Sequence, residues 1–153
     1  MPKYYKAFRG DLTGWNNYQF ESGKTFTDEE GLYYADTISK CLITYHEPDT
    51  RIFEVVIDQP CYKRIDIDGS VAYQAKSITL TRELSRAEIA DILIQERCPL
   101  ERAVLLGLDF ETLKRFPCQK LDSSQRHIIQ IAKTLSHQEK AELLALHKKT
   151  WFR

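Results

Sequence analysis

The chain has 153 residues, with 22 Lys and Arg against 22 Asp and Glu, so its formal net charge is zero with His neutral. Hydrophobic residues at 42% and aromatics at 11% suffice for a packed core and argue against wholesale disorder, while the balanced charge gives no polyanion-binding signature. No apolar run reaches the ~20 residues of a membrane span, and the start MPKYYKAFRGD has neither the apolar region nor the cleavage site of a signal peptide, so a soluble, cytoplasmic protein is expected.

The composition changes near Ser85. Residues 1–84 are rich in Tyr, Phe, Ile, Val and Thr between turn signals, the mark of strands; 86–153 are rich in Leu, Ala, Glu, Lys and Gln at helical spacing. Residues 1–85 carry 10 basic and 13 acidic side chains, and the remaining 68 carry 12 and 9. Two modules are therefore expected, a β-rich one over 1–85 and a helical one over 86–153.

In the first, Tyr4 to Phe8 reads as an opening strand, followed by the turn-rich RGDLTGWNN. Gln19 to Phe26 and Gly31 to Ala35 read as second and third extended pieces. Asp36 or Thr37 can cap a short helix to about Tyr45, whose apolar stripe Ile38, Cys41, Leu42 and Tyr45 belongs in the core. Pro48-Asp49 makes a turn, and Arg51 to Ile57 alternates well enough for a partly buried strand. Cys61 to Ile65, Val71 to Ala75 and Lys76 to Leu84 read as further strands, the last with Ile78 and Leu80 opposite Ser77, Thr79 and Thr81. A twisted, mainly antiparallel sheet with one helix follows from these pieces.

Ser85-x-x-Glu88 is a capping box opening a helix to about Arg97. Leu100 to Leu106, Phe110 to Phe116, Ser124 to Leu135 and, after a second capping box at Ser136-x-x-Glu139, a segment to about Lys148 read as further helices. The second module is thus a bundle of four or five short helices, and the fold class is α+β.

Four cysteines, Cys41, Cys61, Cys98 and Cys118, form no C-x-x-C pair, and four histidines are equally scattered, so no metal site is expected. Leu100 to Phe116 places Ala103, Gly107, Leu108, Leu113 and Phe116 at spacings that resemble a helix-turn-helix. Its only basic residues near a would-be recognition helix are Lys114 and Arg115, few for a phosphate footprint, and ordinary helix packing explains the same pattern. A DNA-binding regulator stands as one alternative reading.

The order of Arg9, then Tyr33 and Tyr34 in a G-L-Y-Y run, then strands carrying Glu54 and Glu83, resembles the ADP-ribosyltransferase fold. That likeness implies NAD as cofactor, held by Arg9 and Tyr33, and a Glu supporting an oxocarbenium-like transition state. No G-x-S-x-G elbow, Walker loop or dinucleotide fingerprint is present, and otherwise no cofactor is expected.

The stretches YYKAFRGDLTGWNNYQFESGKTF, GLYYAD, RIFEV and KSITLTREL together resemble an uncharacterised domain of phage and prophage proteins, over residues 3–88. There, elements like YKGF-D-L, QFEVGKTY, GFHA and SKITIVREL follow in this order. Gly31-Leu32-Tyr33-Tyr34-Ala35 stands where that family has Gly-Phe-His-Ala-Cys, so a His there is absent here. The resemblance implies a phage or prophage accessory protein that acts by binding a host or defence protein complex, of which an anti-CRISPR-like inhibitor is one form. Aromatic and Arg anchors suit such a surface, and Arg9, Trp15, Tyr18 and the tail residue Trp151 are the candidates.

Overall fold

The computed structural model describes residues 3–13, 19–58, 63–67 and 70–148. The chain is mixed α/β and divides into two units, Met1–Ile89 and Ala90–Arg153.

The first unit holds five strands, β1 (Tyr4–Phe8), β2 (Thr25–Tyr34), β3 (Arg51–Ile57), β4 (Lys63–Ile67) and β5 (Ser70–Glu83), all antiparallel. Their order is β1-β3-β5-β2, with β4 paired to the start of β5. Just past β2, Ala35 and Tyr5 exchange backbone hydrogen bonds of 2.8 and 2.9 Å, so β2 returns to β1 and the sheet closes on itself at that point. Alternate residues point inward. Phe8, Leu32, Tyr34, Phe53, Val55, Ala75, Ile78 and Leu80 thereby form one buried cluster, joined by Phe20 from the connection before β2.

Two pairs of expected strands are single strands. The pieces at 19–26 and 31–35 meet in β2, which takes only Thr25 and Phe26 of the first, residues 19–24 lying before the strand; its pairing with β5 runs over Thr25–Thr27, breaks, and resumes at Leu32. Those at 71–75 and 76–84 are both β5. A bulge inserts residues and shifts the inside–outside phase, so a period-two reading splits the strand in two. Gly31 sits in the break with φ +99°, and a Cβ there would come within 3.0–3.2 Å of Gln74. The expected strand at 61–65 is β4, with Cys61 outside the described residues.

Helix α1 (Ile38–Cys41) is capped by Thr37, whose hydroxyl accepts from Lys40 N, and lies against β1 and β5. It stops short of Tyr45, because the amides of Ile43 and Thr44 bond three residues back and tighten the chain into turns. Ile38, Cys41 and Leu42 are buried as expected, but Tyr45 is only half-buried.

Helix α2 (Arg86–Gln95) opens on the expected capping box: Glu88 N donates to Ser85 Oγ at 3.1 Å, and Ser85 N to Glu88 Oε1 at 3.0 Å. The second unit continues with α3 (Leu100–Leu105), α4 (Phe110–Leu113), α5 (Ser123–Ile131) and α6 (His137–Lys148). Helix α3 packs on α4 and α5, and α5 on α6. The second capping box forms at Ser136 and Glu139, and Asp122 with Gln125 makes a further one that starts α5. Pro99 gives α3 no side-chain cap. The Gln119 amide replaces it, accepting from Leu100 N at 2.8 Å and donating to Cys98 O at 2.9 Å. Among the described residues no helix is long and apolar enough to cross a membrane.

Candidate functional site

β1 ends at Phe8, and the next residues fold into a tight turn. Leu12 N donates to Arg9 O, and Leu12 adopts φ +61°, a conformation costly for a residue with a Cβ. Asp11 fixes this turn by accepting from both the amide and the hydroxyl of Thr13, at 3.0 and 2.7 Å. Those bonds, with a smaller effect of Arg9, hold the Asp11 carboxyl below the usual carboxylate range. Opposite, residues 47–50 form a second turn closed by Glu47 N to Thr50 Oγ1 (2.9 Å) and Thr50 N to Glu47 O (3.0 Å). The two turns approach closely where Gly10 lacks a side chain, since a Cβ would meet Asp49 Oδ2 at 2.9 Å.

Between them lies a cleft of about 460 Å³, lined by Arg9, Asp11, Thr44, Tyr45, His46, Glu47 and Asp49. The Arg9 guanidinium sits over the Tyr45 ring, 5.7 Å from its centroid. Burial pushes the Tyr45 hydroxyl up, against the pull of Arg9. His46 Nδ1 lies 3.2 Å from Leu42 O; a carbonyl only accepts, so Nδ1 carries the proton and Nε2 is the acceptor of the neutral ring. Arg9, Glu47 and Asp49 make no ion pair among the described residues.

The other candidate residues have partners within the fold. Glu83 is gripped by Arg51, Nε to Oε2 and Nη2 to Oε1, both at 2.7 Å, and these bonds hold its carboxyl below the usual range. The same Arg51 donates to Gly10 O at 3.2 Å. Glu54 accepts from Lys3 at 3.2 Å and Arg82 at 3.0 Å; burial raises its carboxyl, but these bonds outweigh it and lower the group overall. Arg82 also binds Glu88, at 2.7 and 2.9 Å. Tyr33 stands opposite Gln74 on β5, and its carbonyl accepts from Lys6 Nζ at 2.6 Å. Glu83 and Arg9 are linked through Arg51 and Gly10, whereas Glu54 belongs to a separate ion network.

In the second unit, Lys114 pairs with Glu111 at 3.1 Å and lies over the Phe110 ring, and Arg115 pairs with Asp91 at 2.8 Å. The helix expected over 110–116 is the single turn α4. Asp109 caps it, Arg115 and Phe116 amides bond three residues back, and Pro117 disfavours a helical conformation at Phe116. Ala103, Leu108, Leu113 and Phe116 are buried, and Gly107 takes φ +82°. Trp15, Tyr18 and Trp151 lie outside the described residues. Cys41 and Cys98 are buried and Cys118 is exposed, all as free thiols. Among the described residues no three His, Cys, Asp or Glu side chains converge to hold a metal.

Sequence reading picked out Arg9 and missed Tyr45, His46, Glu47 and Asp49. The available signal was the polar run His46-Glu47-Pro48-Asp49 between two well-formed apolar elements. No family model, curated protein or solved structure matches the chain.

Proposed function

We propose that this chain acts by binding another protein, and that the cleft between the turns at 9–13 and 44–49 receives the partner. The observation that carries this reading is the contrast in charge satisfaction. Glu54, Glu83, Lys114 and Arg115 are all ion-paired within the fold, while Arg9, Glu47 and Asp49 line an open cleft with no internal ion partner among the described residues. Exposed charge beside a half-buried Tyr is the composition of a binding surface rather than of a packed core. The phage or prophage setting, and a host or defence complex as target, belong to the same proposal; four stretches carrying that resemblance overlap β1, β2, β3 and β5 of one sheet.

An NAD-dependent transfer is less well supported. Catalysis there needs a carboxylate facing the substrate, and both Glu54 and Glu83 are engaged by arginines. DNA binding is similarly disfavoured, because a phosphate-contacting cation must be available and Lys114 and Arg115 already have carboxylate partners.

The test is capture from host lysate supplied with NAD, followed by intact-mass analysis, using the parent chain and a Tyr45→Ala variant of equal melting temperature. Binding through the cleft requires a stoichiometric, unmodified protein retained by the parent and lost with the variant. Equal retention by both chains contradicts the cleft, and an ADP-ribose mass added to a retained protein transfers the assignment to catalysis by Arg9, Tyr33, Glu54 and Glu83.

A further inference from the structure

The geometry points to an arginine side chain of the partner as the group the cleft accepts, with Arg9 of this chain occupying that position until the partner displaces it. This deepens the binding reading above and rests on it. Three observations converge. First, the charged residues of the lining are mainly acidic: Asp11, Glu47 and Asp49 stand against Arg9, a net of −2 with His46 counted as neutral. Such a cleft favours a cation and repels phosphate or carboxylate. Second, the aromatic face in the cleft already holds a guanidinium, since Arg9 lies 5.7 Å from the Tyr45 centroid. The chain itself thus supplies an example of the ligand chemistry, a guanidinium over an aromatic ring among carboxylates. Third, Arg9 is held there loosely. It is exposed, and it makes no ion pair among the described residues, Asp11 being turned toward Thr13.

A guanidinium fits this site better than an ammonium. It stacks flat on Tyr45 and keeps its edge donors for the two remaining carboxylates and for His46 Nε2, the ring acceptor left by the bond from Nδ1 to Leu42 O. Arg9 then acts as an internal competitor. If it occupies the ring about nine-tenths of the time, the apparent affinity for an external arginine is reduced by about tenfold. Its removal should therefore tighten binding, the reverse of what loss of a direct anchor does.

The experiment uses the full chain and three acetylated, amidated pentapeptides, Gly-Xaa-Gly-Xaa-Gly with Xaa as Arg, Lys or Glu, with inorganic phosphate as a further probe. Binding is followed by backbone amide shifts of Thr44 to Glu47. The arginine peptide should shift these amides, the lysine peptide should bind several-fold more weakly, and the glutamate peptide and phosphate should leave them unmoved. Arg9→Ala should tighten the arginine peptide by about tenfold, and Glu47→Gln with Asp49→Asn should weaken it by a similar factor. Tighter binding of the glutamate peptide or phosphate, or an Arg9→Ala chain that binds arginine no better than the parent, overturns the inference. A protein partner captured through Tyr45 with no arginine-peptide binding would refute this inference alone and leave the binding reading standing.

Discussion

Arg51 of β3 and Glu83 of β5 form a two-pronged pair, both bonds 2.7 Å, and the third contact of Arg51 reaches the carbonyl of Gly10. The fork therefore joins the two strands to the turn that carries Arg9. It also gives Glu83 a structural partner, so the residue that suggested transferase chemistry in the sequence is held by an arginine of the same sheet.

Glu83→Gln should lower stability by about 0.5–1 kcal/mol, the scale of a well-formed but partly solvated pair, without loss of fold. The pH dependence has a definite sign. Glu83 and Glu54 both titrate below the ordinary carboxylate range in the folded chain. Their contribution is present at neutral pH and is lost as pH falls below about 4.5 through the depressed values. Urea titrations at pH 7 and pH 3.5 should show a smaller drop for Glu83→Gln than for the parent.

Lys6 points into the sheet interior, with its ammonium 5.6 Å from the centroids of both Phe8 and Phe20 and donating to Tyr33 O. Burial lowers it from 10.5 to about 8, with the Cys41 charge opposing. A depressed lysine binds fewer protons folded than unfolded between those values, so stability should rise as pH goes from 8 to 10.5. Lys6→Met should flatten that rise and be no less stable than the parent at pH 7. A parent whose stability is flat across this range contradicts the burial of the ammonium.

Gly31 is required by backbone and by space. Gly31→Ala must adopt φ +99° and push against the buried Gln74, whose Oε1 has no hydrogen-bond partner among the described residues. A loss of about 2 kcal/mol is expected from the combined strain and overpacking. A more exposed control, Gly23→Ala, keeps the positive φ but meets nothing within 4 Å, and should cost less. Equal losses at both positions would show that backbone strain alone matters.

Gln119 connects two helices of the second unit. Its side chain satisfies Leu100 N and Cys98 O, and its backbone N–H donates to His147 Nδ1 at 3.0 Å. Gln119→Ala should cost about 1–3 kcal/mol, the penalty of leaving those groups unpaired. Burial lowers the His147 imidazole below 6.5. The stability linked to its neutral form is therefore present above pH 6.5 and lost as pH falls below it, visible as faster amide exchange in α6. Exchange in α6 that is insensitive to pH between 7 and 5, after correction for intrinsic rates, contradicts this.

Much of the fold is legible in local sequence because its signals are local. Tyr4–Phe8 and Arg51–Ile57 are rich in aromatic and β-branched residues and are strands at those bounds, and the capping boxes at Ser85 and Ser136 open helices where the hydroxyl and the Glu reach each other. What sequence obscures is set by tertiary structure. The break at Gly31 disguises β2 as two pieces, and the closure through Tyr5 and Ala35 leaves no mark in either residue. The cleft is of the same kind. Arg9 stands out as a basic residue after a strand, but Tyr45 reads as the end of a core stripe, and only the short α1 and the approach of Asp49 to Gly10 turn its ring toward Arg9.

Site-specific photo-crosslinking in cells producing the chain addresses the cleft most directly. A benzophenone amino acid at Thr44, exposed on the cleft, should give one discrete protein adduct that disappears when Tyr45→Ala is added, while the same group at Thr81, exposed on the sheet, should give none. An adduct formed from Thr81 and not from Thr44, or one from Thr44 that persists with Tyr45→Ala, would contradict partner binding through the cleft.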